Sequence, residues 1–390
     1  MNDFIYHNPD KIYFGKSALN YLGAELKKYG KKVLLVYGGG SIKRNGLYDE
    51  VVKAVKESGL KLYELSGVEP NPRHTTANKG AKICKDNKVD VVLAVGGGST
   101  IDCAKGVAAA ALTKKGDIWE IVKSGASVEK ALPLIAVLTN AATGSEMDEW
   151  AVISNMDTNE KIGIGGEGLI PKAAFENPEY SFTLPESQTA CGAFEIFNHV
   201  LDNYYLAGEA TFDLILEFQE AVMRAVVKWA PVAMKEPDNY EARANLMWAS
   251  SMALNHVLDA GTVHGCACHA MEHELSAYYD ITHGHGLAIV TPRWLTYILD
   301  EKTAPQIYRL GVKVFGLKEG LEAFAGAKAA IEALEKFCFE TLGLKKNLSD
   351  LNIDETHFKA MAEHACGGEV IDGPKTLTPK DVEEIYKMCL

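Results

Sequence analysis

Long apolar runs and an excess of positive charge are both missing from this sequence. The 390 residues contain no run of about 18 apolar side chains, so we expect no membrane-spanning helix. With 40 Lys and Arg against 52 Asp and Glu, the net charge is −12, which disfavours nucleic acid as a partner because phosphate binding needs a basic face. Residues 1–15 lack the basic start and apolar core of a signal peptide. We expect a cytoplasmic protein that binds neither membranes nor nucleic acid.

The eight cysteines are not spaced as a disulfide framework or a structural zinc site. Cys266 and Cys268 have one residue between them, whereas haem attachment needs two, and no second pair completes a zinc site. These two thiols are an alternative to the neighbouring histidines as metal ligands, although buried free thiols are the simpler interpretation. Scattered free cysteines are typical of a reducing compartment.

Histidines, by contrast, are concentrated in the stretch 264–285, which holds five of the eleven in the chain. His269 and His273 are four residues apart, so a helix would place both imidazoles on one face. His283 follows in HGHG, where glycines are predicted to break the helix and turn the chain back. HAMEH is not the zinc protease motif, because Glu does not directly follow its first histidine.

Glu195 and His199 repeat the four-residue spacing upstream, in FEIFNHVLDNY. Two helix faces and one turn could therefore bring a carboxylate and three imidazoles to one divalent cation. Imidazole nitrogen and carboxylate oxygen suit iron, zinc, cobalt, nickel or manganese. A lone histidine on a helix is more often a hydrogen-bonded core residue, so this hypothesis depends on the density of histidines.

The first half of the chain alternates predicted strands and helices, which indicates a parallel sheet with helices on both sides. FIYHNP and KIYFG are predicted to form a short hairpin around a Pro-Asp turn. Further strands are predicted in LLVYGGG, KLYELSGV, VDVVLAVGGG, LPLIAVLT, WAVISN and KIGIGGEG.

Two of these strands end in triple glycines followed by serine: Gly38, Gly39, Gly40 and Ser41, and then Gly96, Gly97, Gly98 and Ser99. Backbone N–H groups of a glycine loop at a helix N-terminus bind phosphate, because the helix dipole and unpaired donors both face the anion. Asp102, one turn into the second helix, could cap it or meet a ribose hydroxyl. Neither loop is the G-x-G-x-x-G fingerprint, and triple glycines also form tight turns without a ligand.

Beyond Pro185 the sequence has an almost wholly helical period. We predict two domains, residues 1–185 and 186–390. The fold class is an α/β N-terminal domain with a Rossmann-like parallel sheet, followed by an all-α C-terminal domain. Its helices are predicted at 187–206, 210–235, 240–258, 262–278, 286–300, 305–315, 319–342, 355–366 and 379–388.

Several motifs in order resemble the iron-containing, or group III, alcohol dehydrogenase family: HNPDKIYFG, GGGSTIDCAKG, ATGSE at 142–146, LP-x-x-x-TA-x-G at 184–192, and HAMEHELSAYYDITHG. The resemblance covers the chain to about residue 300 and fades after it. Within the family, YGGGSIKRNG, EPNP and YEARANLMWA are similar to the NAD(P)H-dependent butanol dehydrogenases and aldehyde reductases. The resemblance implies the architecture that this family shares with dehydroquinate synthase.

The resemblance also implies a metal site. The family's histidine ligands fall on His199, His269 and His283, and Glu195 stands where the family has Asp. The extra methylene extends that carboxylate, so either the site has shifted or metal binding is altered, since coordination distances are held to about 0.2 Å. His285 is an extra histidine that could substitute. Fe2+ is the first expectation for the metal, with Zn2+ or Ni2+ as alternatives.

The family likewise implies a catalytic and a cofactor role for further residues. His273 is the candidate for proton relay near the substrate. Beside the two glycine loops and Asp102, the expected cofactor-binding residues are Asn71, Thr139, Asn140, Thr143, Ser145 and Lys161. NAD-preferring relatives often carry Asp where this chain has Gly39, followed by Gly40 and Ser41, so we expect NADP(H), with NAD(H) as the alternative.

The implied activity is interconversion of primary alcohols and aldehydes of the butanol and butanal type, by a homodimer. The alternatives are a glycerol dehydrogenase-like or lactaldehyde reductase-like polyol oxidoreductase, a dehydroquinate synthase-like lyase, and a nucleotide-binding protein with an impaired metal site. The lyase is disfavoured because residues 187–285 offer few basic side chains for a phosphorylated substrate. An apolar pocket could be shaped by Trp150, Phe194, Phe197, Met252 and Leu254, each of which could equally be a core residue.

Overall fold

The computed structural model describes residues 1–208 and 212–390. These residues form two compact units, one of His7–Leu184 and the other of Pro185–Leu390 together with Met1–Tyr6. The first two residues of the helix predicted at 210–235 lie outside the described residues.

The unit His7–Leu184 is an α/β structure. Its elements in chain order are β1 (Ile12–Phe14), α1 (Leu22–Leu26), β2 (Lys32–Tyr37), α2 (Ser41–Arg44), α3 (Leu47–Glu57), β3 (Lys61–Leu65), α4 (His74–Asn87), β4 (Val91–Gly96), α5 (Gly98–Leu112), α6 (Ile118–Ser124), β5 (Leu134–Leu138), β6 (Trp150–Asn155), β7 (Glu160–Gly165) and β8 (Ala173–Glu176). Short 3-10 turns cover Ala18–Tyr21, Glu167–Leu169 and Pro178–Ser181.

Six of the strands form one sheet in the order β1-β8-β5-β4-β2-β3, and every pair in it is parallel. The sequences of β2, β4 and β5 are almost wholly aliphatic and buried, as expected of central strands covered by helices on both faces. The chain leaves β2 for β3 on one side and returns as β4 on the other. The strand order therefore reverses between β2 and β4, which is where open α/β sheets bind ligands beyond the carboxyl ends of their strands. The predicted parallel sheet is confirmed.

Two details of the α/β prediction were wrong or incomplete. The N-terminal hairpin does not form, because β1 pairs in parallel with β8 and residues 1–11 have no regular structure. Strand β8 was missed: AAFE is too short to show a period, and only its buried place between β1 and β5 makes it a strand. Strands β6 and β7 were predicted, and they form a separate antiparallel pair.

The second unit is helical, with α7 (Glu186–Val200), α8 (Asp213–Lys235), α9 (Tyr240–Ala253), α10 (Ala267–Tyr279), α11 (His283–Ile298), α12 (Ala304–Phe315), α13 (Ala323–Lys336), α14 (Phe358–Ala365) and α15 (Pro379–Met388). A π-helical turn, Leu201–Tyr205, continues α7, and another, Phe337–Thr341, continues α13. Short 3-10 turns cover Leu348–Leu351 and Glu355–His357. Among the described residues, no helix combines the length and apolar character needed to cross a membrane.

The glycines of HGHG do not break a helix, contrary to the prediction. His283 is the first residue of α11, and Gly284 and Gly286 lie within its first turn. The chain reverses before them, where Asp280 adopts a left-handed conformation with φ 53° at the end of α10. A β-carbon at Gly284 would come within 2.1 Å of the carbonyl oxygen of Cys191, so this glycine is needed for close packing against α7.

A fully buried lysine joins α5 to the segment before β6. The Lys105 ammonium donates to Asp148 Oδ1 at 2.6 Å, to the Asp148 carbonyl at 2.9 Å and to the Trp150 carbonyl at 2.7 Å. The side chains of Lys105 and Asp148 are 0% and 4% exposed. All three ammonium protons are therefore used, which offsets the cost of burying the charge.

Replacing Lys105 by Met should destabilise the fold by about 3–5 kcal/mol, because Asp148 and two carbonyls would keep their burial and lose their donor. Lys82→Met is the matched control, since the Lys82–Asp86 pair on α4 is 76% and 57% exposed and is worth about 0.5 kcal/mol or less. Urea and thermal unfolding, followed by tryptophan fluorescence and circular dichroism, would compare the two. Equal effects of the two substitutions would contradict this account.

Candidate functional site

Four histidines of the helical unit lie side by side. Helix α7 carries His199, α10 carries His269 and His273, and α11 begins with His283. The rings of His199 and His269 stack with centroids 4.8 Å apart and planes 9° apart. The His283 ring lies 5.4 Å from that of His269 and 5.5 Å from that of His273. The structure thus brings together the three histidines expected to bind metal, with the expected proton relay beside them.

Burial keeps the His199 ring uncharged. The pKa of His199 lies well below its usual value because the ring is desolvated and because His269 and His283 are close enough to disfavour a second positive charge. His199 and His269 are 5% and 6% exposed. Within the described residues, His199 Nδ1 and His269 Nε2 are buried and have no hydrogen-bond partner. Buried ring nitrogens without a hydrogen-bond partner are suitable ligands for a divalent cation, so His199 and His269 fit the implied metal.

Glu195, the expected carboxylate ligand, is 6% exposed and lies about one helical turn before His199 on α7. Burial, with the nearby Glu195 charge, raises the pKa of the Cys191 thiol to about 12. Ligand atoms of Glu272, His273 and His283 all lie within 4.8 Å of one another, and Glu195 is not part of this group.

Sequence reasoning missed two buried carboxylates in this cluster. Asp202 Oδ2 lies 2.9 Å from His269 Nδ1, and Glu272 Oε2 contacts His283 Nδ1. Asp202 is 1% exposed and Glu272 is 0% exposed. The signal that could have found them was the helical spacing, because each follows a candidate histidine by three residues, Asp202 after His199 and Glu272 after His269.

Other candidates are placed elsewhere or excluded. His285 Nε2 lies 3.2 Å from the carbonyl oxygen of Lys345, so this ring is held by another segment and does not replace a ligand. Burial raises the pKa of the Cys268 thiol well above its usual value, which favours the protonated thiol. Of the suggested pocket residues, Phe194 and Phe197 are fully buried core residues and Trp150 is 52% exposed.

The first glycine loop, after β2, is open. Gly39 is exposed, and a β-carbon built on it would meet no atom within 4 Å. Gly40 has φ 102°, a left-handed conformation that glycine adopts without strain. Ser41 is exposed at the start of α2, and no carboxylate stands at positions 38–41.

The second loop, after β4, is packed tightly against the loop after β5. A β-carbon at Gly98 would lie 2.1 Å from Thr143 Cγ2, and one at Gly97 would lie 3.1 Å from Asn140 Cβ. Thr139 N donates to the Gly96 carbonyl at 3.0 Å. The adjacent carboxyl ends of β4 and β5 thus form one cradle at the N-terminus of α5, made of residues 96–98 together with Thr139, Asn140 and Thr143. The space beside Thr143 is so small that only glycine fits at position 98.

Asn71 and Lys161 are brought to the same region through their neighbours. The Ser99 hydroxyl donates to the carbonyl of Pro70, which precedes Asn71. Ser154 N donates to the carbonyl of Pro72 at 2.9 Å, and Lys161 is paired opposite Ser154 between β6 and β7. Both Asn71 and Lys161 are buried, at 5% and 8% exposure.

Asp102 has an internal role. Its carboxylate accepts hydrogen bonds from the Ser145 hydroxyl at 2.7 Å and from Val152 N at 2.9 Å. It does not cap α5, whose N-cap residue is Gly97. Burial raises the pKa of Asp102 even though Lys105 and both hydrogen bonds favour the ionised form. Asp102 and Ser145 therefore hold α5 against the β5–β6 segment, and a ribose hydroxyl would have to share their oxygens.

Comparison with known families assigns both halves of the chain to the same family. Residues 9–178 match the model "Iron-containing alcohol dehydrogenase", and residues 189–390 match "Fe-containing alcohol dehydrogenase family, C-terminal". The match extends to the last residue, so the expectation that the resemblance fades after about residue 300 was wrong.

Individual relatives agree with the family match. The chain is 46% identical over 389 residues to NADH-dependent butanol dehydrogenase A of Clostridium acetobutylicum, with 99% of each chain covered. It is 37% identical over 363 residues to the NADPH-dependent aldehyde reductase YqhD of Escherichia coli, covering 93% of this chain and 92% of the relative.

A solved structure shows the same architecture. The crystal structure of NADH-dependent butanol dehydrogenase A from Thermotoga maritima superimposes with a TM-score of 0.94 at 40% identity, covering 100% of this chain and 99% of the other. Both family models, the full-length relatives and the shared fold agree with one another. The chain belongs to the iron-containing alcohol dehydrogenase family.

Proposed function

We propose that this protein is a metal-dependent oxidoreductase that interconverts primary alcohols and aldehydes of the butanol and butanal type, with NADP(H) as coenzyme. Family membership makes it an alcohol dehydrogenase or aldehyde reductase, and relatives of both names cover more than nine-tenths of the chain. The observation that carries the proposal is the histidine cluster, in which His199 and His269 are buried and His269 Nε2 lacks any hydrogen-bond partner among the described residues.

The cation would be held by His199, His269 and His283 together with the Glu195 carboxylate. Fe2+ is the first candidate, and Zn2+ or Ni2+ would suit the same donors. When bound, the cation supplies a Lewis acid for a carbonyl oxygen, and the reduced nicotinamide supplies hydride.

The remaining chemistry falls to the chain's own residues. His199 stays neutral because burial and its two histidine neighbours disfavour protonation, so its nitrogen lone pair remains available as a ligand. The His273 ring lies 5.5 Å from that of His283. One of its ring nitrogens would donate a proton to the oxygen of the product alcohol.

The cradle at the N-terminus of α5 would bind the pyrophosphate through the backbone N–H groups of residues 96–99. Asn140 and Thr143 border this cradle, and Asn71, Thr139 and Lys161 would face the coenzyme with them. The phosphate is favoured by the N-terminus of a 15-residue helix, whose dipole and unpaired donors point toward it.

NADPH is the proposed coenzyme because the loop after β2 lacks a carboxylate. An acidic side chain there would accept hydrogen bonds from a ribose 2′-hydroxyl and repel a 2′-phosphate. Gly39 leaves open space instead, with the Ser41 hydroxyl and the side chains of Lys43 and Arg44 exposed in the next turn. The relatives named above include both NADH- and NADPH-dependent enzymes, so the coenzyme assignment depends on the residues of this loop.

The substrate is proposed as an aldehyde, with a polyol as the alternative. No contact in the described residues favours a polyol. The homodimer and the cytoplasmic location stay predictions.

In wild-type protein loaded with Fe2+ or Zn2+, butanal reduction should be faster with NADPH than with NADH when each coenzyme is at low concentration. Gly39→Asp should reverse this preference, changing the ratio of kcat/KM values by about tenfold or more, because the new carboxylate repels the 2′-phosphate and binds the 2′-hydroxyl. Space for the side chain exists, since nothing lies within 4 Å of the new β-carbon.

Gly39→Asn is the control for this change, because it adds the same volume without the charge and should shift the ratio less. Equal initial rates of the wild type with the two coenzymes at low concentration would refute the NADPH assignment. Glycerol oxidation, measured beside butanal reduction, separates the polyol alternative.

Replacing His269 by Ala should abolish both metal binding and aldehyde reduction, because it removes a ring whose Nε2 is free to coordinate. Metal content per chain would be measured by elemental analysis and activity by loss of NADPH absorbance. His285→Ala is the matched control, since that ring contacts the Lys345 carbonyl and its loss should leave both measurements near wild type.

Retention of metal and activity by His269→Ala would show that the ligand assignment is wrong. A folded wild-type protein that takes up none of the divalent ions offered, yet binds the dinucleotide, would favour a nucleotide-binding protein with an impaired metal site.

A further inference from the structure

Two buried carboxylates contact the Nδ1 atoms of two candidate metal ligands, His269 and His283. Asp202 lies in the π-helical turn Leu201–Tyr205, three residues after His199, so it continues the face of α7 that carries Glu195 and His199. Its Oδ2 accepts from the backbone N of His269 at 3.0 Å and lies 2.9 Å from Nδ1 of the same residue. One oxygen therefore fixes both the backbone and the ring of His269.

Glu272, on α10, holds the ring of His283. Its Oε2 contacts His283 Nδ1, and its Oε1 accepts from the Ser276 hydroxyl one turn later. Room for this carboxylate depends on Gly286, where a β-carbon would lie 2.7 Å from Glu272 Cγ and 2.8 Å from its Oε1. Serine and glycine together thus hold a fully buried carboxylate against the ring.

The contacts determine which nitrogen each ring presents. An ionised carboxylate only accepts hydrogen bonds, so a neutral imidazole beside it carries its proton on Nδ1 and leaves the lone pair on Nε2. In the described part of the chain, His269 Nε2 is buried and has no hydrogen-bond partner. Histidines that ligate metals usually donate their other ring nitrogen to a carboxylate, which fixes the tautomer and the ring orientation.

We propose that Asp202 and Glu272 are positioning residues for the metal site, holding His269 and His283 with Nε2 directed to the cation. The inference rests on the proposed metal site and adds two residues to it that are not ligands. Glu272 lies within 4.8 Å of ligand atoms of His273 and His283, so a direct ligand role is the competing outcome that the experiment has to separate.

The experiment compares Asp202→Asn and Glu272→Gln with the wild type, all stripped of metal and then titrated with Zn2+ against a chromophoric chelator. Each variant should bind Zn2+ about 10- to 100-fold more weakly, because the ring loses its charged anchor while all coordinating nitrogens remain. The Co2+-loaded variants should keep their visible absorption bands, at shifted wavelength, since the ligand set is unchanged and only its geometry relaxes.

Glu274→Gln is the matched control for Glu272→Gln. Glu274 is a second buried carboxylate on α10, two residues on and so on the other side of the helix, where it pairs with His364 at 3.4 Å. Its Zn2+ affinity should stay within about twofold of wild type. A general loss of helix stability would affect both variants, whereas a positioning role affects only one.

Gly286→Ala provides a test that leaves both carboxylates in place. The new methyl group would displace Glu272 from His283, so Zn2+ affinity should fall in the same direction as for Glu272→Gln. Circular dichroism melting identifies any variant that has not folded. If Glu272→Gln does not fold, Gly286→Ala is measured in its place.

The outcomes separate this inference from the proposed function. If the wild type binds Zn2+, His269→Ala loses it, and Asp202→Asn and Glu272→Gln both keep wild-type affinity, the positioning role is overturned while the metal site stands. If Glu272→Gln loses the metal and the Co2+ bands as completely as His283→Ala, Glu272 is a ligand and the positioning role is also overturned. If the wild type binds no metal, the proposed function itself fails.

Discussion

Inside the helical unit, His199 and His269 stack face to face at 4.8 Å, and the buried position of His199 beside this ring disfavours a positive charge on His199. A buried imidazolium beside a second one would combine a desolvation penalty with like-charge repulsion, and both lower the pKa of His199. Neutral rings in turn carry lone pairs that are costly to bury without a partner. The proposed cation would accept those lone pairs, and its binding would then be coupled to the stability of this unit.

The helices that carry the cluster are irregular beside its histidines. Helix α7 widens into a π-helical turn directly after His199, and such turns are frequent at functional sites. Helix α11 begins at His283 with two glycines in its first turn, one admitting the backbone of α7 and the other admitting Glu272. Each irregularity costs some helix stability and gives close approach in return.

In the α/β unit, helix α5 meets two demands with different residues. Its N-terminus opens from the glycine loop, where the proposed function requires backbone N–H groups that remain free for a phosphate. Its next turns bury Asp102 and Lys105, which bind the segment that leads into β6. The buried polar contacts anchor the helix, so the glycine loop needs no side chain to hold it.

The sequence by itself determined the class of each half, the triple-glycine loops and the identity of the four clustered histidines. These features depend on short-range periodicity and on residue types that few structures require. It also indicated the family, since several motifs occur in order. Tertiary structure alone decided that β1 joins β8, that AAFE is a strand and that Asp202 and Glu272 meet the histidines. Those pairings join residues as far apart as Ile12 and Ala174, or Asp202 and His269, and local pattern carries no information about which distant backbone or carboxylate a residue will contact.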